Sequence, residues 1–172
     1  MKKDDVFFDS LVAHVNRKEW WHVPPCDPSA YSKRGKFFAS SFREAEFWGR
    51  PLDEPQRVAV RKPLIGDEET IEKRLFGRPV SSEEITMEDR WKLDAMMRRA
   101  ALRKGYDSLV LMAPKAFAEF QSTGKLPRSM ELNVLKLGKA KRGAAVRVGE
   151  VILPDRTDVS GRAGISRRGS RI

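Results

Sequence analysis

The sequence predicts an α+β fold. Segments with helical spacing and short apolar, alternating runs are mixed along the chain without a regular βαβ rhythm, which disfavours a doubly wound sheet. No internal repeat is present, and 172 residues with 40% hydrophobic content suffice for one core. A change of composition near Pro154 separates an expected domain of residues 1–153 from a tail of residues 154–172.

Residues 5–18 place Val6, Phe7, Leu11, Val12 and Val15 three and four apart behind Asp4 and Asp5, an amphipathic helix with acidic residues at its N-terminus. Trp20-Trp21-His22-Val23 reads as a short strand ended by Pro24-Pro25, and residues 24–35 as a loop. Residues 36–40, Lys-Phe-Phe-Ala-Ser, form the next strand candidate. Ser41-Phe42-Arg43-Glu44 fits a capping box and opens a short helix that Gly49 and Pro51 end. Gln56–Arg61 alternates Val58 and Val60 with polar residues and predicts a strand stopped by Pro63.

Helices are expected over about 68–76 and 83–104, the second closed by Gly105. Tyr106–Met112 is a strongly apolar strand, and Pro114 is placed as the first residue of a helix to about Phe120. Over residues 130–135, alternation puts Glu131, Asn133 and Leu135 on one face and Met130, Leu132 and Val134 on the other. Ala145–Leu153 is the last expected strand. Beyond it Gly, Ser, Arg and Asp dominate, a composition with too little apolar surface to bury, so the tail is expected to be disordered.

Charge is uneven. The formal total is +10, yet residues 136–172 hold ten basic and three acidic side chains, leaving 24 basic against 21 acidic in the first 135. Cys26 alone excludes an intramolecular disulfide framework and a Cys-rich zinc module, and only His14 and His22 could contribute imidazole to a metal. No apolar run approaches a membrane span, and Asp4, Asp5 and Asp9 spoil a signal peptide, so the expectation is a soluble, cytoplasmic protein with no membrane partner and no metal. Dinucleotide, phosphate-loop, zincin and nucleophile-elbow motifs are absent. Asp107 with Glu131 suggests a nuclease pair, but no lysine follows Glu131 at the spacing such sites use.

An ordered set of pieces remains: His22 on a short strand, Gly35-Lys36-Phe37-Phe38-Ala39-Ser40-Ser41, a short helix bearing Ala45 and ending at Trp48, Gly105-Tyr106-Asp107, then Met130-Glu131-Leu132-Asn133-Val134. Over roughly residues 20–137 this order resembles the ADP-ribosyltransferase superfamily, in particular its compact bacterial and phage-type members, some of which are effectors. The resemblance implies a split β-sandwich with flanking helices, binding NAD+ in a cleft between two sheets and transferring ADP-ribose to a macromolecular acceptor. Positive charge grows on the ribose carbon as its bond to nicotinamide breaks, so a carboxylate beneath it favours the transition state over the ground state. The resemblance gives that role to Glu131. It places His22, Phe38, Ser40, Ser41 and Trp48 around the NAD+, with His22 on the ribose or nicotinamide amide and Trp48 stacked on the nicotinamide.

The pattern departs from that family in three places. Val23-Pro24 follows His22 in place of Gly-Thr, Trp48 stands where tyrosine is usual, and Ser129 stands two residues before Glu131, where members that modify arginine carry a carboxylate or amide. Each residue also has a structural explanation. His22 can be a satisfied interior histidine, Ser41 a helix cap, Trp48 a core residue, and Glu131 an ion-pair partner of Arg128 or Lys136. A second functional class is a noncatalytic protein holding nucleic acid through its basic C-terminal region. Arg156, Arg162, Arg167, Arg168 and Arg171 offer phosphate contacts there, with no aromatic residue beyond Gly138 for base stacking.

Overall fold

A computed structural model describes residues 3–81 and 85–136. The expected strand Ala145–Leu153 and the tail of residues 154–172 lie outside the described residues. The architecture is α+β, with six helices, a four-stranded sheet and a two-stranded one among the described residues.

The chain runs α1 (Lys3–Arg17), β1 (Glu19–Trp20), α2 (Ser29–Arg34), β2 (Lys36–Ala39), α3 (Phe42–Glu46), β3 (Gln56–Arg57) and β4 (Pro63–Gly66). It continues through α4 (Glu68–Phe76), α5 (Met87–Arg103), β5 (Ser108–Leu111), α6 (Pro114–Thr123) and β6 (Glu131–Val134). The larger sheet has the order β2-β6-β5-β4, with β4 and β5 parallel and the other pairs antiparallel. Strands β1 and β3 pair separately, and Trp21 bridges to Ala39 at the outer edge of β2.

The sheet separates two apolar layers. Phe38, Val110, Met130, Leu132 and Val134 pack on one face with Leu11 and Val15 of α1 and Phe117 and Phe120 of α6. Leu64, Leu109 and Leu135 pack on the other with Ile71 and Leu75 of α4 and Leu93, Met97, Ala100 and Ala101 of α5. The alternation expected for residues 130–135 is therefore the division between the layers: Met130, Leu132 and Val134 on the first, Leu135 on the second.

Five expectations need correction. Residues 24–35 are not wholly loop, because α2 forms there and places Tyr31 and Arg34 on a helix. The strand expected over Gln56–Arg61 stops at Arg57. Val58 and Val60 are buried as alternation requires, yet the backbone of Val60 is held by a side chain: Asn16 Oδ1 accepts from Val60 N–H at 2.7 Å and Asn16 Nδ2 donates to Val60 O at 3.0 Å. Pro63 does not end a strand but opens β4, an edge position where the missing N–H costs no ladder bond. The strand through His22 is shorter than expected, since regular pairing ends at Trp20 and only Trp21 continues it as a bridge. The long helix starts at Met87, where the Thr86 hydroxyl accepts from Asp89 N–H.

Candidate functional site

Cross-strand register fixes which side chains share a face. Ala39 and Leu111 both stand opposite Glu131, Gly66 stands opposite Leu111, and Trp21 stands opposite Ala39. One row therefore crosses the α4–α5 face of the sheet: Trp21, Ala39, Glu131, Leu111, Gly66. Carried one residue further, the Trp21–Ala39 register sets His22 opposite Phe38, whose own partner is Leu132. His22 and Phe38 thus lie on the α1–α6 face, opposite to Glu131.

His22 is only 2% exposed and both ring nitrogens are engaged. A carbonyl oxygen can only accept, so Nδ1 carries the proton and donates to Phe37 O at 2.7 Å, while Nε2 accepts from the Tyr31 hydroxyl at 2.8 Å. Burial pushes the imidazole pKa down to about 4, with the Lys36 ammonium adding to the effect against the Phe37 hydrogen bond. At neutral pH His22 is an uncharged interior residue wedged between the Tyr31 and Phe38 rings. Phe38 is 4% exposed and belongs to the core. Lys36 is buried beside them, its ammonium 2.8 Å from Gln56 Oε1 and 4.9 Å above the Phe38 ring, and burial lowers its pKa to about 8.

Glu131 sits at the start of β6, half-buried. Among the described residues, no hydrogen bond or ion pair reaches its carboxylate, so neither Arg128 nor Lys136 neutralises it. The positive charge that acts on it is that of Arg90 on α5. Desolvation raises the Glu131 pKa, Arg90 pulls it back, and Asp94, Glu68 and Glu44 push it further up. Arg90 is held on two sides: its Nε bonds Asp94 Oδ1 at 3.1 Å and its Nη1 bonds Glu68 Oε1. Arg34, from α2, stacks over Trp91 at 4.9 Å and acts electrostatically on Asp94. The Arg34 carbonyl accepts from Asn133 Nδ2 at 3.0 Å. Gly35 passes so close to Asn133 that a Cβ there would lie 2.2 Å from Asn133 Oδ1, and its φ of +91° is one that glycine adopts without strain.

The two serines have distinct places. Ser41 caps α3, its hydroxyl accepting from Glu44 N–H at 3.3 Å. The Ser40 hydroxyl donates to Glu44 Oε2 at 2.5 Å and accepts from Met130 N–H at 3.1 Å, while Ser40 N–H donates to Met130 O at 3.2 Å. Ser40 therefore joins Glu44 to the residue immediately before Glu131. Burial acts to raise the Glu44 pKa, but hydrogen bonds from Ser129, Ser40 and Ser41 prevail and hold its carboxyl below the usual range.

Trp48 is 59% exposed beyond the end of α3, its ring perpendicular to that of Phe47 with centroids 5.2 Å apart, so it is a surface residue and not a core one. The aromatic residue on the Glu131 row is Trp21, packed edge-on to Phe42 at 4.9 Å. Asp107 does not join Glu131. It clamps a turn by accepting from Arg61 N–H, Lys62 N–H and the Ser108 hydroxyl, and Ser108 pairs with Val134 at the far end of β6.

Of the six residues the sequence singled out, the structure ties Ser40 to the backbone of Met130, the residue before Glu131, and makes Ser41 the N-cap of α3. It sets His22 and Phe38 on the face opposite Glu131, and no contact among the described residues links Trp48 to Glu131. Sequence reading missed Trp21, Arg90 and the bond between Glu44 and Ser40. Arg90 and Asp94 carried a legible sign, an i,i+4 basic–acidic pair on a helix, and Glu44 was visible only as half of a capping box. No protein family, curated protein or solved structure matches the chain.

Proposed function

We propose that the chain is an NAD+-dependent ADP-ribosyltransferase that moves ADP-ribose to a macromolecular acceptor, with its chemistry on the α4–α5 face of the sheet. The observation that carries this reading is Glu131: a half-buried carboxylate on an inner strand with no hydrogen-bond partner among the described residues. Burial raises its pKa against the pull of Arg90, and carboxylates perturbed in this way concentrate where a charge is used.

In this reading Glu131 lies under the ribose and meets the positive charge that develops as nicotinamide departs. Arg90, pinned by Glu68 and Asp94, keeps a fraction of Glu131 ionised against desolvation. Trp21 offers the nearest aromatic ring on the same row. His22, which the sequence order placed on the cofactor, is assigned a structural part: it fixes Tyr31 and the edge of β2. The split β-sandwich implied by the resemblance belongs to the same proposal, with the β1–β3 pair as the smaller sheet.

Incubation with labelled NAD+ and a total cell lysate tests the reading. Wild type is expected to release nicotinamide and label an acceptor, and Glu131→Gln to lose at least about a hundredfold in rate, the scale of a single removed electrostatic stabiliser. Equal rates for the two proteins, or no turnover by either, would contradict it.

A further inference from the structure

We infer that the end of the sheet where β4 and β5 begin and β6 ends is a docking face for the phosphate backbone of double-stranded nucleic acid. The inference is independent of the reading of Glu131. Asp107, just before β5, draws basic segments together there. Its carboxylate accepts from Arg61 N–H at 2.8 Å and Lys62 N–H at 3.1 Å, its N–H donates to Lys62 O, and its carbonyl accepts from Leu135 N–H. Leu135 O in turn accepts from Arg98 Nε at 3.1 Å, and Lys136 follows in the chain. α5 ends at the same place with Arg103 and Lys104, and the Lys62 ammonium lies 3.5 Å from where a Cβ on Gly105 would stand. Arg61, Lys62, Arg103, Lys104 and Lys136 are exposed, and Arg98 is half-buried.

Counter-charge is scarce at this end. Between Asp94 and Glu119 the sequence has one acidic residue, Asp107, and its carboxylate is spent on two backbone N–H groups and the Ser108 hydroxyl. Among the described residues, none of these six basic side chains joins an ion pair, whereas Arg57, Lys73, Lys92 and Lys125 elsewhere each face a carboxylate. Cations in the last turn of a helix complement its dipole. That accounts for Arg103 and Lys104, but not for Arg61, Lys62 or Lys136, which lie outside any helix. Clustered cations of this kind fit a row of phosphates, whose counterions they release. Single strands are held by stacking bases on aromatic rings. The aromatic residue here, Tyr106, is half-buried with the Lys62 ammonium 5.9 Å from its ring centroid, so the face suits the backbone of a duplex. Backbone contacts carry no sequence information, so binding is independent of sequence.

The test uses the full chain and a fluorescent duplex DNA, with affinity measured by anisotropy over a range of salt concentrations and no NAD+ present. Wild type is compared with the combined variant Arg61→Gln, Arg103→Gln, Lys104→Gln. The combined variant Lys73→Gln, Lys92→Gln, Lys125→Gln removes equal charge from ion-paired positions elsewhere. At about 0.9 per phosphate contact, the first variant should lower the slope of log affinity against log salt by about 2–3, and the second should leave it unchanged. Arg61→Gln alone, off the helix, should lower it by about 1, which keeps the test valid if the combined variant melts early. Wild type should also bind the duplex more tightly than a single strand of the same sequence or polyglutamate. No binding by wild type, or a slope unmoved by the end-face variant, would overturn the inference. So would equal losses in the two combined variants, or a preference for the single strand or polyglutamate.

Discussion

Glu131 and His22 make opposite statements about pH, and each can be measured. The folded-state pKa of Glu131 is raised, so its favourable contribution exists at low pH and is lost as pH rises through that value. Glu131→Gln should therefore melt higher than wild type at pH 8, with the gap closing toward pH 4; a lower melting temperature for the variant at pH 8 would contradict the desolvated carboxylate. His22 is depressed from 6.5 to about 4, so the unfolded chain binds the extra proton between those values. Stability should fall as pH drops through that window, by on the order of 3 kcal/mol if the imidazole is as enclosed as its exposure indicates. Denaturant titrations of wild type and His22→Gln should differ in pH dependence there, and parallel curves would show that His22 is not the titrating group. For Arg90→Gln, loss of the compensating charge moves the Glu131 pKa up, and with it the acid limb of NAD+ turnover. An unmoved limb would detach Arg90 from the site.

At the scale of elements, periodicity located most of the fold: the helices near 68–76 and 114–120, and the strands at 36–40 and 106–112, lie where apolar spacing put them. What spacing cannot convey is which group satisfies a backbone. Val58 and Val60 alternate as in a strand, but Asn16, 44 residues earlier than Val60, provides the hydrogen bonds a neighbouring strand would otherwise give. Asn16→Ala leaves both groups of Val60 without that partner and should cost about 2–3 kcal/mol by chemical denaturation; a change under about 0.5 kcal/mol would mean water replaces it. α2 went unseen because it is six residues long between prolines and a glycine, too short for a periodic signal. The site was legible only in part for a related reason. Glu131 stood out as a charge in an apolar run, whereas the face that His22 occupies depends on the Trp21–Ala39 bridge, a pairing of residues distant in sequence.

Among the described residues, the two layers that flank the sheet run from Phe7 to Leu135. The basic excess of residues 136–172 lies after that span in sequence. A chain ending at Lys136 should keep a cooperative thermal melt within a few degrees of the full chain. A collapse of the melt would show that later residues complete a core. The central claim is that NAD+ is handled on the Glu131 face of the sheet, with His22 as interior structure behind it. Titration of the labelled protein with NAD+, followed by amide and side-chain nitrogen resonances, tests this most directly. The claim requires shifts at the Trp21 indole, the Ala39 and Glu131 amides and Arg90 Nε, with the His22 ring unmoved. Shifts centred on His22 and Tyr31 with Glu131 silent, or no shifts at all, would contradict it.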